Sequence, residues 1–357
     1  MAKFRITGIS FDHMHMGDLL RCVHDHPDAE IAGIFDPDRS TMQRAIDSFG
    51  IPEDRVFTDF DACMAATKPD LVLLCAAPAN HADYTRRLAA YGVHVFVEKP
   101  FASSAADARA MIAAMPPGKT LAINWPLRWV ESHVTAKRLV DEGMIGEVIE
   151  IHSYGGNRGP LYHLADKIEV RREEVERQKP TSWWYKRASG GGSLLDYLGY
   201  GATLGTWYRN GEAPLEVTCV TDEAPGIEVD QHSVTICRYA RGLSKMETRW
   251  GTFTDPWVIQ PQPKCGFVLV GTEGTIASWD YADHVTVQTR ANPEPHPIPS
   301  DPLPPGERNA IEYVLSCIAR GEPLTGPLDP AVSLIGQRIV DTAAESARQK
   351  RTLPLIP

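Results

Sequence analysis

The sequence predicts an α/β protein in which a doubly wound parallel sheet is followed by an α+β domain with a large, mainly antiparallel open sheet. Strand and helix patterns alternate over the first third of the chain, and short strands with period-two alternation dominate after about Glu142. A chain of 357 residues also exceeds one ordinary hydrophobic core. We therefore place one domain at residues 1–124 and a second at residues 125–357.

In the first domain, apolar strands alternate with helical segments. The near-continuous apolar run Leu71–Ala76 is typical of a parallel strand that is buried on both faces. Strands are predicted at Phe4–Ile9, Ala29–Phe35, Leu71–Ala76, Val93–Val97 and Leu121–Asn124, and helices at Gly17–His24, Thr41–Phe49, Asn80–Tyr91 and Ser104–Met115. This alternation indicates right-handed crossovers, which build a doubly wound sheet.

In the second domain, short strands show one apolar and one polar face, with Gly and Pro between them. They are predicted at Gly146–His152, Val217–Val220, Ser233–Tyr239, Leu243–Trp250, Phe267–Val270, Thr275–Trp279 and His284–Thr289, with helices at Arg308–Ala319 and Ala331–Gln349. The charged stretch Asp166–Lys179 is predicted to be a solvated helix or loop. The sheet leaves a broad face to cover, so we expect a homodimer or homotetramer.

Composition excludes several classes of function. A formal net charge of −10 argues against nucleic acid or an anionic membrane surface as the main partner. No apolar stretch reaches the roughly eighteen residues of a membrane span, and the start of the chain runs directly into a strand, which leaves no room for a signal peptide. The 7 scattered cysteines indicate reduced thiols, so we expect a cytoplasmic protein without a disulfide framework.

Lys99 is the first candidate functional residue. It follows the apolar run Val93–Val97, and Pro100 ends the strand directly after it. In open α/β sheets, ligands bind at the carboxyl ends of the strands. A lysine there can meet a hydroxyl or carbonyl of a bound substrate, whereas an isolated Glu-Lys-Pro would be a surface turn.

The expected phosphate-binding loop is incomplete. A dinucleotide fold places Gly-x-Gly-x-x-Gly between its first strand and helix, and the aligned stretch here is Gly8-Ile9-Ser10-Phe11-Asp12-His13. Ser10 replaces the glycine that lets the backbone approach a pyrophosphate, and His13 replaces the one that packs helix on strand. The loop alone does not identify a cofactor site.

Asp36 offers a second, independent signal. It ends the second predicted strand, where an acidic residue binds the adenosine ribose, but Asp36-Pro37-Asp38 is also good turn chemistry. If a dinucleotide binds, the carboxylate favours NAD over NADP, while Arg39 nearby keeps NADP possible.

We expect no metal site. His13 and His15 flank Met14 on a loop that enters a helix, which does not place both rings on one helical face. No carboxylate or cysteine follows them at ligand spacing.

Five short motifs in order resemble the glucose–fructose oxidoreductase/inositol dehydrogenase/MocA (Gfo/Idh/MocA) family. They are Glu98-Lys99-Pro100, Pro78-Ala79-Asn80-His81, Asn124-Trp125-Pro126-Leu127-Arg128-Trp129, Gly190-Gly191-Gly192-Ser193-Leu194-Leu195-Asp196 and Gly271-Thr272-Glu273-Gly274-Thr275. The resemblance covers essentially the whole chain. It implies a Rossmann-like NAD(P)-binding domain followed by a domain for substrate binding and oligomerisation.

The resemblance also implies a set of site residues. Lys99, Asp196 and Tyr200 are the catalytic candidates. Cofactor contacts are implied for Gly8, Ser10, Phe11, Asp12, His13, Asp36, Arg39, Ala77, Pro78, Asn80, His81, Glu98, Lys99, Asn124 and Arg128. Substrate contacts are implied for Lys99, Trp125, Tyr162, His163, Trp183, Asp196 and Tyr200. Trp125, Trp129, Trp183 and Trp184 could stack on a sugar ring, or they could serve core packing.

The implied activity is hydride transfer between nicotinamide and a carbohydrate-like alcohol carbon. Lys99 would polarise the reacting oxygen and Asp196 would orient the substrate. The family commonly has a histidine as base four residues after the aspartate, where this chain has Tyr200. A Tyr200–Lys99 pair would take the hydroxyl proton, with His163 or Tyr162 as the alternative base.

Two other functions stay open on the sequence. An NAD-using glycoside hydrolase would oxidise its substrate transiently and then eliminate the aglycone. A sugar or cofactor sensor would bind without turnover, although the retained Lys99 and Asp196 count against it.

Overall fold

The computed structural model describes residues 3–357, which divide into two compact units. The first unit extends to Asn124 and also contains Leu161–Arg177 and Pro305–Pro330. The second contains Trp125–Pro160, Gln178–Pro304 and Ala331–Pro357. The linear division predicted from the sequence assigned 161–177 and 305–330 to the second domain, whereas their contacts belong to the first unit. Arg21 on the first helix, for example, pairs with Asp166.

The first unit contains a six-stranded parallel sheet with the order β3-β2-β1-β4-β5-β6. Its strands are β1 (Phe4–Ile9), β2 (Ala29–Phe35), β3 (Val56–Phe57), β4 (Leu71–Leu74), β5 (His94–Glu98) and β6 (Leu121–Asn124). This strand order is that of a Rossmann fold, so the predicted doubly wound sheet is confirmed. The order reverses between β1 and β4, and ligands of open α/β sheets bind at such a switch point.

Seven α-helices belong wholly or mainly to the first unit in the described residues. They are α1 (His15–His24), α2 (Arg39–Phe49), α3 (Phe60–Thr67), α4 (His81–Ala89), α5 (Ala105–Ala114), α7 (Arg172–Gln178) and α9 (Ala310–Arg320). Side chains of Asp38, Asp59 and Ser104 accept backbone N–H bonds at the starts of α2, α3 and α5. Helix α1 begins after Met14 without such a cap, and its first turn lies at the switch point of the sheet.

The second unit contains a nine-stranded sheet with the order β14-β13-β12-β11-β7-β10-β9-β8-β15. Its strands are β7 (Val148–Asn157), β8 (Glu216–Asp222), β9 (His232–Arg238), β10 (Leu243–Trp250), β11 (Gly266–Gly271), β12 (Gly274–Trp279), β13 (His284–Thr289), β14 (His296–Pro299) and β15 (Leu353–Pro354). β7 and β10 pair in parallel and the other neighbours pair antiparallel. The predicted mainly antiparallel sheet is confirmed.

One face of this sheet is buried beneath helices. The helices of the unit are α6 (Glu131–Asp141), α8 (Gly199–Tyr208) and α10 (Pro330–Gln349). Met246 of β10 and Cys237 of β9 join Ile339 and Ala343 of α10 in one buried apolar cluster. The opposite face of β8, β9 and β10 carries exposed apolar side chains.

Several elements differ from the sequence-based expectation. Helices α3 and α6 were not predicted, and β4 ends two residues before Ala76. The stretch 166–179 contains the short helix α7, whose side chains other than Val175 are mostly exposed, so the expectation of a solvated helix or loop is confirmed. Among residues 3–357, no helix has both the length and the apolar composition that crossing a membrane requires.

Candidate functional site

Ser10 gives the loop after β1 the backbone conformation that favours glycine. Its φ is 65°, in the left-handed region, and its side chain is buried. A non-glycine residue pays about 1–2 kcal/mol for this conformation. The loop therefore keeps a tight turn although the second glycine of the fingerprint is absent.

Backbone amides of this loop donate to protein groups. The N–H of Ser10 donates to the Phe35 carbonyl at 2.9 Å, and the N–H of His13 donates to the Cys75 carbonyl at 3.0 Å. From the other side, the Asp12 carboxylate accepts the N–H of Ala77 at 2.8 Å. The ends of β2 and β4 thus fix the loop that connects β1 to α1.

Asp36 closes the same loop from the end of β2. Its carboxylate accepts the N–H groups of Phe11 at 2.7 Å and of Asp38 at 2.9 Å. Burial raises the pKa of Asp36, while these two hydrogen bonds act in the opposite direction. Turn capping is therefore one role of Asp36, and a carboxylate with two such bonds keeps further acceptor capacity for a ribose.

Arg39 lies on the surface at the start of α2. Its guanidinium donates to Glu53 at 2.7 Å and to Gln43 at 2.9 Å, and all three side chains are exposed. Arg39 is therefore engaged with its own surface neighbours.

His81 joins two loops at the carboxyl edge of the first sheet. The segment Pro78–Asn80 forms a 3-10 turn, after which His81 starts α4 with a fully buried ring. Its Nε2 lies 2.8 Å from the Ala76 carbonyl and its Nδ1 lies 3.1 Å from the Phe101 carbonyl. The Pro-x-x-His motif is therefore explained by the way His81 holds these two loops together. A contact of His81 with the cofactor stays a prediction.

Glu98 is the centre of a polar cluster at the end of β5. It is fully buried, and its two oxygens are held from different sides. His15 Nδ1 lies 2.7 Å from Glu98 Oε1, and the Asn124 amide donates to Oε2 at 2.7 Å. Lys99, which follows Glu98, is 5% exposed. The predicted Lys99 and Glu98 thus lie inside the protein and not on a surface turn.

The pKa values of the two histidines in this cluster are shifted in opposite directions. Burial lowers the pKa of His13 well below 6.5, and the charges of His15 and Lys99 add to this. For His15, burial also lowers the pKa, but the charge and hydrogen bond of Glu98 outweigh it, so that the pKa is raised. Burial thus keeps the His13 ring neutral, whereas Glu98 favours the charged form of His15.

His13, His15 and Glu98 offer ligand atoms within 4.8 Å of one another, a spacing that a metal ion could also use. No carboxylate follows the histidines at ligand spacing in the sequence, but the fold places one beside them, because Glu98 lies at the end of β5. The hydrogen bond of His15 to Glu98 accounts for the arrangement, and the positive charge of Lys99 opposes a cation. The expectation of no metal site stays a prediction.

Segment 161–177 packs on the start of α1. Asp166 accepts two hydrogen bonds from Arg21, at 2.8 and 2.9 Å, and its N–H donates to Asp18 at 2.7 Å. A Cβ on Gly17 would lie 2.5 Å from the Cβ of Ala165. Tyr162 and His163 therefore belong to the first unit, where the charge of His163 acts on His13.

Asp196 lies in a π-helical turn of the second unit. This turn spans Leu194–Leu198 and leads directly into α8. The carboxylate is 4% exposed and accepts the indole N–H of Trp250 at 2.9 Å. π-Helical turns occur frequently at functional sites because they redirect side chains.

Tyr200 follows this turn at the start of α8. The π-turn, which is wider than an α-turn, lies between Asp196 and the start of α8. The Tyr200 ring is 7% exposed and packs edge-on against Trp125, with the ring centroids 5.3 Å apart. The geometry therefore joins Tyr200 to the predicted Asn-Trp-Pro-Leu-Arg-Trp motif.

The tryptophans divide between packing and partial exposure. Trp125 is 2% exposed and donates to the Ser333 hydroxyl at 2.9 Å, and Trp184 is 4% exposed. Trp183 stacks on Trp184 with centroids 3.8 Å apart and is itself half-buried. Core packing thus accounts for Trp125 and Trp184, while Trp183 keeps an accessible edge.

Arg128 lies between two aromatic rings of the second unit. Its guanidinium carbon is 4.9 Å from the Trp129 centroid and 4.8 Å from the Trp207 centroid. This is the distance range of cation–π contacts. Trp129 is therefore also explained by a contact within the second unit.

His15 is the residue that sequence reasoning missed. Its partner Glu98 is 83 residues away in the sequence, so no local pattern joins the two residues. Strands β1 and β5 both pair in parallel with β4, so the start of α1 and the end of β5 lie at the same edge of the sheet.

Two family models match most of the chain. One is described as an oxidoreductase family with an NAD-binding Rossmann fold and matches residues 6–121. The other is the GFO/IDH/MocA C-terminal domain and matches residues 133–277. The chain therefore belongs to the Gfo/Idh/MocA family of NAD-binding oxidoreductases, as the five motifs predicted.

Two similar proteins in this family are named as dehydrogenases of a sugar and of a polyol. D-apiose dehydrogenase of Paraburkholderia graminis is 32% identical over 128 residues, which are 36% of this chain and 34% of that protein. Inositol 2-dehydrogenase of Salmonella typhimurium is 27% identical over 173 residues, 46% of this chain and 50% of that protein. The matched part thus spans only a third to a half of these relatives.

The fold is shared over the full length with a solved sugar oxidoreductase. Aldose–aldose oxidoreductase from Caulobacter crescentus, complexed with glycerol, aligns over 99% of this chain and 100% of that chain. The TM-score is 0.79 and the sequence identity is 21%. At this identity the likeness establishes the fold.

Proposed function

We propose that the protein is an NAD-dependent oxidoreductase that transfers a hydride between nicotinamide and a hydroxyl or keto group of a carbohydrate or polyol. The observation that carries this proposal is the buried Lys99 beside Glu98 at the carboxyl edge of the NAD-binding sheet. A lysine whose charge is removed from solvent interacts strongly with a nearby substrate oxygen. The named activities of the relatives support a carbohydrate-like substrate.

The residues of the first unit fit a dinucleotide. The β1–α1 loop keeps its left-handed turn at Ser10, and Asp36 lies buried at the end of β2. These residues would hold the cofactor together with the segment Ala77–Asn80 after β4 and Asn124 at the end of β6. When bound, nicotinamide supplies the acceptor or donor of the hydride.

Three side chains would act on the substrate. The Lys99 ammonium would donate a hydrogen bond to the reacting oxygen and stabilise negative charge that develops there. Asp196, which Trp250 fixes in place, would orient the sugar hydroxyls. Tyr200 would take the hydroxyl proton, with Lys99 stabilising its phenolate.

A turnover screen tests this proposal. D-apiose, inositols, aldoses and sugar acids would each be incubated with NAD or NADP while NADH or NADPH is followed by absorbance. At least one sugar or polyol should give net reduced nucleotide, and Lys99→Met, which keeps side-chain length without the charge, should lower the rate strongly. If every substrate binds without turnover, the protein is a sensor and the proposal is wrong.

A parallel assay distinguishes the hydrolase. Aryl glycosides that release a coloured aglycone would be incubated with NAD under the same conditions. Aglycone release without net NADH would identify an NAD-using glycoside hydrolase. The proposal expects net NADH and no dependence on a leaving group.

A further inference from the structure

Oxidation of an alcohol leaves a proton that must reach water in every turnover. The carbon-bound hydrogen leaves as a hydride with both electrons, the O–H hydrogen leaves as a proton, and a carbonyl forms. The inference below rests on the proposed function, because it concerns the path of this proton. The first unit contains a group whose geometry suits that task.

His15 is held as a base with one free face. An ionised carboxylate can only accept hydrogen bonds, so the contact of Glu98 with His15 Nδ1 places the ring proton on Nδ1. The lone pair of neutral His15 is then on Nε2. No hydrogen-bond partner of this nitrogen occurs in residues 3–357, and the side chain is 21% exposed, so water can reach it.

Glu98 holds the His15 ring in a fixed orientation. It is fully buried, and Asn124 donates to its other oxygen at 2.7 Å. A carboxylate fixed behind an imidazole selects the ring tautomer and stabilises the imidazolium that forms on protonation. Glu98 is therefore a positioning residue for His15.

Burial lowers the pKa of His15, and the surrounding charges act on it in both directions. Glu98 and Asp18 favour its charged form, and Lys99 opposes it. The His13 ring lies 4.3 Å away and is kept neutral by burial. From segment 161–177, Asp166 donates its N–H to Asp18. The net effect is a pKa raised from 6.5, because the charge and hydrogen bond of Glu98 outweigh burial and the Lys99 charge.

We propose that His15, oriented by Glu98, is the proton outlet of the active site. Lys99 adjoins Glu98 in the chain, and its charge acts on the His15 ring. The proton that Tyr200 takes from the substrate hydroxyl passes to His15 Nε2, and from there to water. In the reducing direction the same ring supplies the proton.

Buffer rescue tests this outlet. His15→Gln removes the titrating ring but keeps an amide that can donate to Glu98. In dilute buffer without imidazole, its kcat should fall by at least about tenfold, since loss of a proton-transfer group costs roughly a hundredfold or more when nothing replaces it. Added imidazole should restore kcat, while KM and the NAD dissociation constant stay near wild type. His24→Gln on the same helix, with its ring against Phe49, should match wild type in every buffer.

A titration without cofactor or substrate gives a second readout. In ring-labelled protein, NMR should show His15 titrating above 6.5, and Glu98→Gln should lower that value. A His15 pKa below 6.5, or one that Glu98→Gln leaves unchanged, would overturn the outlet.

The outcomes separate the two proposals. An active enzyme whose His15→Gln variant turns over normally in dilute buffer would overturn the outlet and leave the oxidoreductase standing. Weaker NAD binding without buffer rescue would make His15 a cofactor contact and also overturn it. A wild-type enzyme that reduces no nucleotide with any substrate would overturn the proposed function, and the outlet with it.

Discussion

At the scale of single residues, the end of β5 carries charges that a protein interior tolerates only in combination. Glu98 is fully buried and Lys99 is 5% exposed. An isolated buried charge costs several kcal/mol, and partners with good geometry offset that cost. His15 and Asn124 supply hydrogen bonds to both oxygens of Glu98. This set of contacts, and not Lys99 alone, distinguishes the site from a surface turn.

Asp36 is expected to set the cofactor preference. Its carboxylate would accept ribose hydroxyls and would repel a ribose phosphate, so wild type should bind NAD more tightly than NADP. Asp36→Asn keeps an oxygen for the Phe11 N–H and removes the charge, and it should therefore narrow the ratio of the two dissociation constants. Fluorescence titration with both nucleotides measures this ratio. Tighter NADP binding by wild type would show that Asp36 only caps the turn.

Tyr200 is expected to be the first acceptor of the substrate proton. Tyr200→Phe should lower turnover by a factor of about a hundred to ten thousand and remove the acid limb of the pH profile, where activity falls as the base becomes protonated. His163→Ala, which lies in segment 161–177, is the matched comparison. If Tyr200→Phe leaves turnover nearly unchanged while His163→Ala lowers it strongly, the base lies in that segment.

The His13–His15–Glu98 cluster is expected to work without a metal. Hydrogen bonding accounts for its geometry, and the Lys99 charge disfavours a bound cation. Turnover should therefore survive exhaustive chelation with EDTA and dialysis. Loss of activity that zinc or manganese restores would show that the cluster is a metal site.

At the scale of secondary structure, the π-turn of Asp196 depends on a close backbone approach at Gly191. A Cβ there would lie 2.2 Å from the Trp184 carbonyl oxygen, and backbone cannot move aside cheaply. Gly191→Ala should lower the free energy of unfolding by about 1–3 kcal/mol, as overpacking does. Thermal melts or urea titrations measure the change.

Gly205 in α8 provides the control for this substitution. Its added Cβ would meet only side-chain ends, of Met246 at 3.3 Å and of Ile151 at 3.8 Å. Because alanine is favoured over glycine in a helix by about 1 kcal/mol, Gly205→Ala should leave stability unchanged or raise it. Equal effects of the two substitutions would contradict the steric argument.

The sequence predictions are accurate for elements that local interactions determine and fail where no local signal exists. Strands β1 and β6 were predicted with their observed bounds, because apolar runs between turn residues are local signals. Helix α6 was missed, since its first turn has no side-chain cap and Val130 precedes it. The π-turn before α8 was not predicted, because no local pattern marks it.

For the site, the motifs predicted positions but not partners. Lys99 and Asp196 were placed by the Glu-Lys-Pro and glycine-rich motifs. The contacts of His15 with Glu98 and of Asp196 with Trp250 join residues 83 and 54 positions apart, and only the tertiary fold brings them together. Segment 161–177 was likewise assigned to the wrong unit, because its packing on α1 leaves no signal in its own composition.

At the scale of the whole molecule, the open sheet of the second unit is expected to be covered by another copy of the chain. Val220, Ile236 and Leu243 are 68%, 43% and 51% exposed on its outer face. Exposed apolar side chains on neighbouring strands favour self-association, and symmetric dimers are the commonest result. Sedimentation should show a dimer or tetramer at micromolar concentration, and a monomer would refute this.

A charge on that face should disrupt the assembly. Ile236→Lys should shift sedimentation toward monomer without loss of the fold. Val258→Lys, at a position 68% exposed in the loop after β10, is the matched control and should leave the assembly intact. An effect of both substitutions, or of neither, would place the interface elsewhere.

The central claim is net hydride transfer from a sugar or polyol to NAD at the site that contains Lys99. The most direct measurement is the ratio of NADH formed to substrate consumed by the purified enzyme, with Lys99→Met in parallel. We expect one NADH for each substrate molecule oxidised, and a much lower rate of NADH formation in the Lys99→Met variant. Substrate conversion without accumulation of NADH, or an unchanged rate in that variant, would contradict it.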